Sequence, residues 1–172
     1  MTYRIGHGYD LHRLEALGPG SRAKPLVVGG VLLEIPPLVE GSVVVGVVAH
    51  SDGDVLFHAM TDALLGALGM ADIGQLFPDH DPKYAGRASE FFVAEAARLV
   101  REGGWEIGNV DATVVLERPR LSPHKETIRA SVARALGVEV GVVNVKGKSH
   151  EGVDAVGEGR AIEAHAVVLL VR

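Results

Sequence analysis

The clearest structural pattern in the chain lies in residues 53–69, which read GDVLFHAMTDALLGALG. Apolar residues recur there at i, i+3 and i+4, the spacing that places them on one face of a helix. These residues are Val55, Leu56, Ala59, Met60, Ala63, Leu64, Ala67 and Leu68. Before them stand Ser51, Asp52 and Asp54, which suit a helix cap or the acidic first turn of a helix. The stretch therefore predicts an amphipathic helix.

Strand patterns and further helix patterns surround this helix. The strand patterns cover residues 2–9 (ending near Asp10), 25–35 (a hairpin around Gly29 and Gly30), 110–117, 142–148 and 161–171. The other helix patterns cover residues 87–102 and 122–136, and a loop rich in Gly, Asp and Pro covers residues 69–86. This order predicts an α+β fold, an α/β sandwich in which three helices pack on one face of a mixed sheet, beside a β-hairpin.

Length and composition are those of an ordinary globular chain. Of its 172 residues, 47% are hydrophobic and 23% are charged, which excludes a disordered chain. The length predicts a single domain over residues 1–172, which buries roughly two-thirds of the surface of the unfolded chain. Because the chain has no cysteine, a disulfide framework, a CxxC redox site and a cysteine-ligated zinc are excluded.

Charge and hydropathy narrow the classes of partner. The formal net charge of −5 argues against nucleic acid binding as the main function. No apolar run reaches the roughly 18 residues that a membrane span requires, and the first residues lack the pattern of a signal peptide. We therefore expect no nucleic acid and no membrane partner. The expected compartment is cytoplasmic, or the plastid stroma if a transit peptide has been removed.

Three residues form a candidate metal site. Asp10 and His12 stand two apart at the predicted end of the first strand, where side chains at i and i+2 point the same way. His58 lies one turn into the predicted helix. Two imidazoles and one carboxylate match a catalytic zinc site, which leaves the fourth position to water or substrate. An Asp-x-His sequence at a strand end is more often part of a turn or a cap, so these residues alone favour that interpretation over a metal site.

The segment AHSDGD, residues 49–54, combines a histidine, cap residues, a glycine and two acids where the helix begins. Backbone N–H groups at a helix start bind anions well. A plain N-terminal cap explains the serine and the acids but leaves His50 unexplained. His58 and Asp62 are four residues apart, so Asp62 either orients the imidazole or forms an ordinary surface pair.

Two further segments concentrate polar groups. Residues 71–81, ADIGQLFPDHD, form a mobile substrate loop or, as the residues alone favour, a solvated turn. Residues 146–151, KGKSHE, place two lysines, a hydroxyl, a histidine and a glutamate at a strand end. Those side chains suit a phosphate and a hard cation such as Mg²⁺, although the leading GxxxxG of a P-loop is missing.

Together these stretches resemble the 2-C-methyl-D-erythritol 2,4-cyclodiphosphate synthase family of the non-mevalonate isoprenoid pathway. The resemblance covers essentially the whole chain, in order. The matching segments are residues 4–12, 49–54, 61–67, 72–81, 108–111 and 143–146. Residues 108–129 and 146–162 most resemble the branch that includes plant plastid members.

The resemblance implies a homotrimer with active sites between neighbouring subunits. It also implies a phosphorus-oxygen lyase, which converts a small cytidine diphosphate substrate into a cyclic diphosphate and CMP by metal-assisted intramolecular phosphoryl transfer. In the family pattern Asp10, His12 and His58 are zinc ligands, and a substrate phosphate oxygen takes the fourth position. Glu151 matches a ligand of a second divalent ion, Mg²⁺ or Mn²⁺.

The resemblance further implies the residues that contact the substrate. His50 and Ser149 match catalytic positions that stabilise the transition state. Asp72 and Gly74 match contacts to the methylerythritol hydroxyls, and residues 116–122 match the cytidine pocket. The implied substrate-binding residues are Asp10, His12, His50, Ser51, Asp72, Ile73, Gly74, Phe77, Pro78, Asp79, His80, Asp81, Leu116, Pro119, Arg120, Leu121, Lys148, Ser149, His150, Glu151 and Arg160.

Two segments depart from the family pattern. Residues 35–49 are several residues longer, and they extend a hairpin or line a subunit contact. Residues 152–157 are two residues shorter than in bacterial members, and Arg160 is the candidate replacement for an arginine that the family has there. This departure weakens the assignment of His7 and Glu158 to an isoprenoid-diphosphate pocket on the trimer axis.

Two other functions compete with the synthase. A metal-dependent phosphohydrolase would use the same three candidate ligands to activate water, which would leave a water-derived oxygen in the product. A non-catalytic trimeric binding module would hold zinc for structure only, and it would need four protein ligands where the sequence offers three convincing ones.

Overall fold

The computed structural model describes residues 1–33, 44–78, 80–84 and 86–172. Within these residues the strands are β1 (Tyr3–Ala16), β2 (Val27–Val28), β3 (Val31–Leu32), β4 (Val45–Val48), β5 (Glu106–Val115), β6 (Val143–Lys148) and β7 (Ala161–Val171). The helices are α1 (Val55–Leu68), α2 (Ile73–Leu76), α3 (Ser89–Glu102), α4 (Lys125–Leu136) and α5 (Asp154–Gly157). Short 3₁₀ turns lie at Pro82–Tyr84, Ser122–His124 and Val140–Val142.

The central sheet has five strands in the order β4-β1-β7-β5-β6. β5 and β6 pair in parallel and the other neighbours pair antiparallel, so the sheet is mixed, as predicted. β2 and β3 form a separate two-stranded hairpin, which confirms the hairpin pattern. The predicted combination of a mixed sheet, helices and a hairpin is therefore present.

The three longer helices, α1, α3 and α4, cover one face of the sheet. Their buried side chains share one hydrophobic core with alternate residues of β7, from Ile162 to Leu170. α1 begins at its cap Asp54, whose carboxylate accepts hydrogen bonds from two backbone N–H groups of the first turn. It ends at Gly69, which has a left-handed φ of 73°. The helix predicted over residues 53–69 is thereby confirmed.

α1 lies unusually close to β1. A Cβ added to Gly6 would lie 1.8 Å from Ala63 O, and one added to Gly8 would lie 1.9 Å from Ala59 O. Only glycine permits such an approach of two backbones. The contact holds the part of β1 that follows Gly8 against the N-terminal half of α1, where the candidate site is found.

The first strand is longer than predicted. It does not end near Asp10 but continues to Ala16, because it pairs with β7 as far as Arg13 and then with β4. β4 was expected only as one alternative, an extension of the hairpin, and not as a partner of β1. Both differences come from pairing between segments distant in the chain, which local periodicity does not contain.

Other boundaries also shift. The strand predicted at 110–117 begins at Glu106 instead, where it pairs with the end of β7. The loop predicted at 69–86 contains α2 and a 3₁₀ turn. Within the described ranges, no helix is both long and apolar enough to cross a lipid bilayer. Residues 35–43 of the segment that exceeds the family pattern lie outside the described residues. Its described part forms β4, which pairs with β1 and is not part of the β2–β3 sheet, and a role in a subunit contact stays a prediction.

The sheet face opposite the helices carries exposed apolar side chains, which we call the outer sheet face. Because side chains alternate along a strand, residues at every second position share this face. The outer sheet face comprises Tyr3, Ile5, Tyr9 and Leu11 of β1 and Val167 of β7. Ile5 is 71% exposed. Exposed apolar residues grouped on one face are typical of an interaction surface.

Candidate metal and substrate site

β1 and α1 bring the three predicted metal ligands together. Asp10 Oδ2 lies 3.1 Å from His12 Nε2 and 3.0 Å from His58 Nδ1. The two ring nitrogens are 3.3 Å apart. Asp10 and His12 lie on the face of β1 that α1 covers, and all three side chains are partly buried. The three residues form a cluster that can hold a metal ion.

The donor atoms of this cluster fit a zinc ion. At bond lengths of about 2.0–2.1 Å, the ligand atoms of a tetrahedral zinc site lie roughly 3.3–3.4 Å apart. The three separations in the cluster, 3.0, 3.1 and 3.3 Å, are within a few tenths of an ångström of that spacing. Three protein ligands leave one tetrahedral position open, which is the arrangement of a catalytic rather than a structural zinc site.

The two imidazoles have shifted pKa values of opposite sign. Burial lowers the pKa of His12 below its ordinary value, although the charge of Asp10 opposes the shift. The pKa of His58 is raised. Burial acts to lower it, but the hydrogen bond and charge of Asp10 and the charges of Asp54 and Asp52 outweigh the effect of burial. The carboxylates around His58 make this corner of the cluster favourable for a cation.

The second ring nitrogen of His58 contacts residues that the sequence analysis missed or assigned differently. His58 Nε2 lies 2.9 Å from Ser89 Oγ and 3.3 Å from Ser51 Oγ. Ser89 is also bonded to Asp52, which the sequence pattern assigned only to the helix start. Ser89 opens a different helix, 31 residues along the chain, so no local spacing connects it with His58.

Asp54 has a structural role. Its carboxylate is fully buried and accepts hydrogen bonds from Gly29 N and Gly30 N in the hairpin turn, at 2.9 and 2.6 Å, besides those from α1. Burial raises the pKa of Asp54, and the backbone donors oppose that rise. Asp54 therefore ties the β2–β3 turn to the start of α1.

Ser51 lies beside the metal cluster, where its Oγ is 3.3 Å from His58 Nε2, and Lys24 holds the backbone of His50 and Ser51. The Lys24 ammonium donates to the carbonyl oxygens of both residues, at 2.9 Å for His50. Lys24 was not predicted, because it is remote in sequence. Asp62, which the spacing allowed to orient an imidazole, instead accepts a hydrogen bond from Ile73 N at 2.8 Å and holds the start of α2.

The predicted methylerythritol loop begins with α2. Asp72 caps this helix by accepting a hydrogen bond from Gln75 N at 2.9 Å. Phe77 packs against the rings of Tyr84 and Phe92, with centroid distances of 5.4 and 5.2 Å. The Phe77 side chain is thus part of the hydrophobic core.

The other loop residues differ in exposure. Ile73 and Pro78 are half-buried, whereas Gly74 and His80 are exposed. Asp81 Oδ1 accepts a hydrogen bond from Lys83 N at 2.9 Å. The predicted contact Asp79 lies outside the described residues.

A cavity of about 730 Å³ opens beyond the carboxyl ends of β5 and β6. This volume is in the range of small-molecule sites. The predicted cytidine and diphosphate residues on its wall are Leu116, Pro119, Arg120, Leu121, Lys148, Ser149 and Glu151. Glu117 also lines it, and Glu117 Oε2 is buried with no hydrogen-bond partner among the described residues. The cavity shares no residue with the metal cluster.

His150 and Arg160 are not part of the cavity wall. His150 Nδ1 lies 2.8 Å from Asp154 Oδ2, and Arg160 Nε donates to Glu158 Oε2 at 2.8 Å. Glu151 and Asp154 have left-handed φ angles of 52° and 62°. The segment after β6 is therefore shaped by its own internal contacts.

Comparison with known proteins gives consistent relatives. The model of the YgbB family matches residues 3–171. The chain is 54% identical over all its 172 residues to a chloroplastic 2-C-methyl-D-erythritol 2,4-cyclodiphosphate synthase of Arabidopsis thaliana, of which it covers 68%. It is 47% identical over 168 residues to the synthase of that name from Trichlorobacter lovleyi, and the match covers 98% of each chain.

Solved structures are similar as well. A 2C-methyl-D-erythritol-2,4-cyclodiphosphate synthase in a CDP-bound form has a TM-score of 0.83 at 41% identity, over 98% of this chain and 100% of the other. The CDP complex of IspF from Plasmodium falciparum has a TM-score of 0.81 at 36% identity, over 98% of this chain and 96% of the other.

Proposed function

The chain belongs to the YgbB family, and from this membership we propose how its residues carry out the reaction of the family. The protein is an enzyme of isoprenoid biosynthesis. It cyclises 4-diphosphocytidyl-2-C-methyl-D-erythritol 2-phosphate to 2-C-methyl-D-erythritol 2,4-cyclodiphosphate and releases CMP. The main observation that supports the proposed residue roles is the cluster of Asp10, His12 and His58.

The reaction needs no nucleophile from the protein, because the substrate carries both reacting groups. An oxygen of the 2-phosphate attacks the β-phosphorus of the diphosphate and forms the new P–O bond. The bond between that phosphorus and the bridging oxygen breaks, and CMP leaves with the electron pair. The protein therefore has to fold the substrate for in-line attack and neutralise the charge that develops.

Asp10, His12 and His58 would hold zinc, and Glu151 would hold the second divalent ion, Mg²⁺ or Mn²⁺. When bound, such cations polarise phosphate oxygens and neutralise charge on the departing group. The donor set and spacing of the cluster support zinc. The carboxylate of Glu151, on the wall of the cavity, is an oxygen ligand of the type that Mg²⁺ prefers.

The cavity beyond β5 and β6 would bind the cytidine diphosphate part of the substrate. The two CDP-bound relatives support this assignment. Backbone groups of residues 116–122 would read the base, and Lys148 would place a point charge near the diphosphate. Ser149 and His50 would donate hydrogen bonds to the oxygens on which charge develops.

The methylerythritol part would lie against the loop that begins at Asp72. The Asp72 carboxylate and the backbone of Gly74 are exposed and offer hydrogen-bonding groups to its hydroxyls. The remaining contacts implied by the family pattern keep that proposed role: Ser51, Ile73, Phe77 through its backbone, Pro78, Asp79, His80, Asp81, His150 and Arg160.

We also propose that residues 1–172 form one domain and assemble as a homotrimer. The outer sheet face supplies exposed apolar area for self-association. The cavity wall includes none of the three candidate zinc ligands, which supports an active site completed between neighbouring subunits. The compartment, cytoplasm or plastid stroma, stays a prediction; three relatives are chloroplastic by name.

The test is ³¹P NMR of the purified protein with 4-diphosphocytidyl-2-C-methyl-D-erythritol 2-phosphate and Mg²⁺, with and without a chelator. We expect the cyclic diphosphate and CMP, and loss of both after chelation. The same reaction in ¹⁸O-labelled water separates the synthase from a phosphohydrolase, since cyclisation incorporates no oxygen from water. Label in the product would support the phosphohydrolase instead.

A further inference from the structure

The environment of His58 is asymmetric. Its Nδ1 faces Asp10 and His12, at 3.0 and 3.3 Å, on the side where the metal would bind. Its Nε2 faces away from that side and lies 2.9 Å from Ser89 Oγ. Ser89 is fully buried at the first residue of α3. One ring nitrogen is thus available to a cation and the other is held by a buried hydroxyl.

Asp52 determines which way the Ser89 hydroxyl is oriented. Asp52 Oδ2 accepts a hydrogen bond from Ser89 N at 3.0 Å, and Asp52 Oδ1 accepts one from the Ser89 hydroxyl. A serine hydroxyl has one proton and two lone pairs. Because its proton goes to the carboxylate, the oxygen presents a lone pair to His58 Nε2, which must then carry the hydrogen.

From this arrangement we propose that Ser89 and Asp52 are positioning residues for the metal site. The chain Asp52–Ser89–His58 keeps the hydrogen on Nε2 and the lone pair on Nδ1, and it fixes the ring so that Nδ1 points at Asp10 and His12. Groups that bond the distal nitrogen of a metal-binding histidine set its tautomer and orientation in this way. The inference rests on the proposed metal site and adds two residues outside the ligand set.

Ser51 does not replace Ser89 in this role. Its Oγ is farther from His58 Nε2, at 3.3 Å, and accepts a hydrogen bond from Gly53 N at 3.1 Å. The shorter contact, the complete burial of Ser89 and the carboxylate behind it single out the Asp52–Ser89 pair.

The test is the zinc dissociation constant, measured by competition with a chromophoric chelator. We expect Ser89→Ala to weaken zinc binding roughly 10- to 100-fold. Asp52→Asn, which keeps the size of the side chain, should weaken it as well. The double variant should bind about as weakly as Ser89→Ala alone, since both residues act through one chain of hydrogen bonds. Ser131→Ala, which removes a buried hydroxyl from α4, is the matched control and should bind like the wild type.

The second readout is the His58 Nε2–H proton of the zinc-loaded protein, followed by ¹⁵N-edited NMR. It should exchange slowly with solvent in the wild type and faster in both single variants. Zinc constants and exchange rates equal to the wild type in Ser89→Ala and Asp52→Asn would overturn the positioning role and leave the metal site intact. If Asp10→Asn also binds zinc like the wild type, the metal site itself is wrong, and the positioning role with it.

Discussion

Gly8 of β1 lies directly beneath Ala59 of α1, so that a Cβ on Gly8 would be 1.9 Å from the Ala59 carbonyl oxygen. His58 precedes Ala59, and Asp10 follows Gly8 by two residues. The same backbone contact that joins the strand to the helix therefore sets the distance between the candidate metal ligands.

We accordingly predict that Gly8→Ala damages both the fold and the site. The added methyl group cannot be accommodated without moving β1 away from α1, so we expect a loss of about 3 kcal/mol or more in the free energy of unfolding. Zinc affinity should fall with it. Urea unfolding measures the first effect, and Gly18→Ala is the control, because a Cβ there has no atom within 4 Å. Equal destabilisation by the two substitutions would contradict the prediction.

Asp10→Asn tests the metal ligand that contacts both imidazoles. The neutral amide is a poorer zinc ligand than a carboxylate, so zinc content should fall and turnover should drop at least about a hundredfold. Metal analysis and CMP release measure the two effects. Asp111→Asn, which removes an exposed carboxylate paired with Lys146, serves as the control. Normal zinc content with a normal rate in Asp10→Asn would remove Asp10 from the ligand set.

Because the pKa of Asp154 is lowered in the folded chain, the stability of the segment after β6 should depend on pH. Desolvation raises the pKa of Asp154, but hydrogen bonds from Val156 N and Gly157 N and the contact with His150 outweigh it, so the pKa lies below its ordinary 3.8. A carboxyl whose pKa is lowered on folding stabilises the folded segment above the unfolded pKa. This contribution is lost as the pH falls through the folded pKa.

The check is an NMR titration of the amide shifts of Val156 and Gly157. Their midpoint should lie below 3.8 in the wild type and move up toward it in His150→Gln, where the imidazole is removed. A wild-type midpoint at or above 3.8 would show that the Asp154 contacts do not persist in solution.

If the outer sheet face is buried in the homotrimer, a charged residue introduced there should prevent trimer assembly. Ile5 on this face is 71% exposed, so Ile5→Asp should convert a trimer into monomers and reduce turnover, because a charge cannot be buried there without a partner. Sedimentation velocity measures the change. Val140→Asp, at an exposed apolar residue away from this face, should stay trimeric. A wild-type protein that sediments as a monomer would refute the trimer.

Much of the local structure was predictable because its causes are local. The periodicity of residues 53–69 and the caps Asp54 and Gly69 are contained in adjacent residues, and α1 forms where they indicate. Asp10 and His12 are two apart, so an extended backbone places them on one face, although the pairing with β7 is what continues the strand through them. The ligand pair on β1 and the helix carrying His58 were therefore recognisable before any tertiary contact was known.

The remaining features depend on segments that meet only in the folded chain. β1 extends to Ala16 because β7 and β4 pair with it, and no residue of β1 encodes those partners. Ser89 reaches His58 because α3 packs beside α1, and Lys24 reaches the carbonyl of His50 across 26 residues. Hydrophobic period and capping act over a few residues, whereas strand pairing and buried hydrogen bonds join groups without regard to their sequence separation. The types of the longer helices and of the strands with a clear hydrophobic pattern were thus set locally, whereas β4, the length of β1 and the contacts that orient the candidate ligands were set by strand pairing and packing.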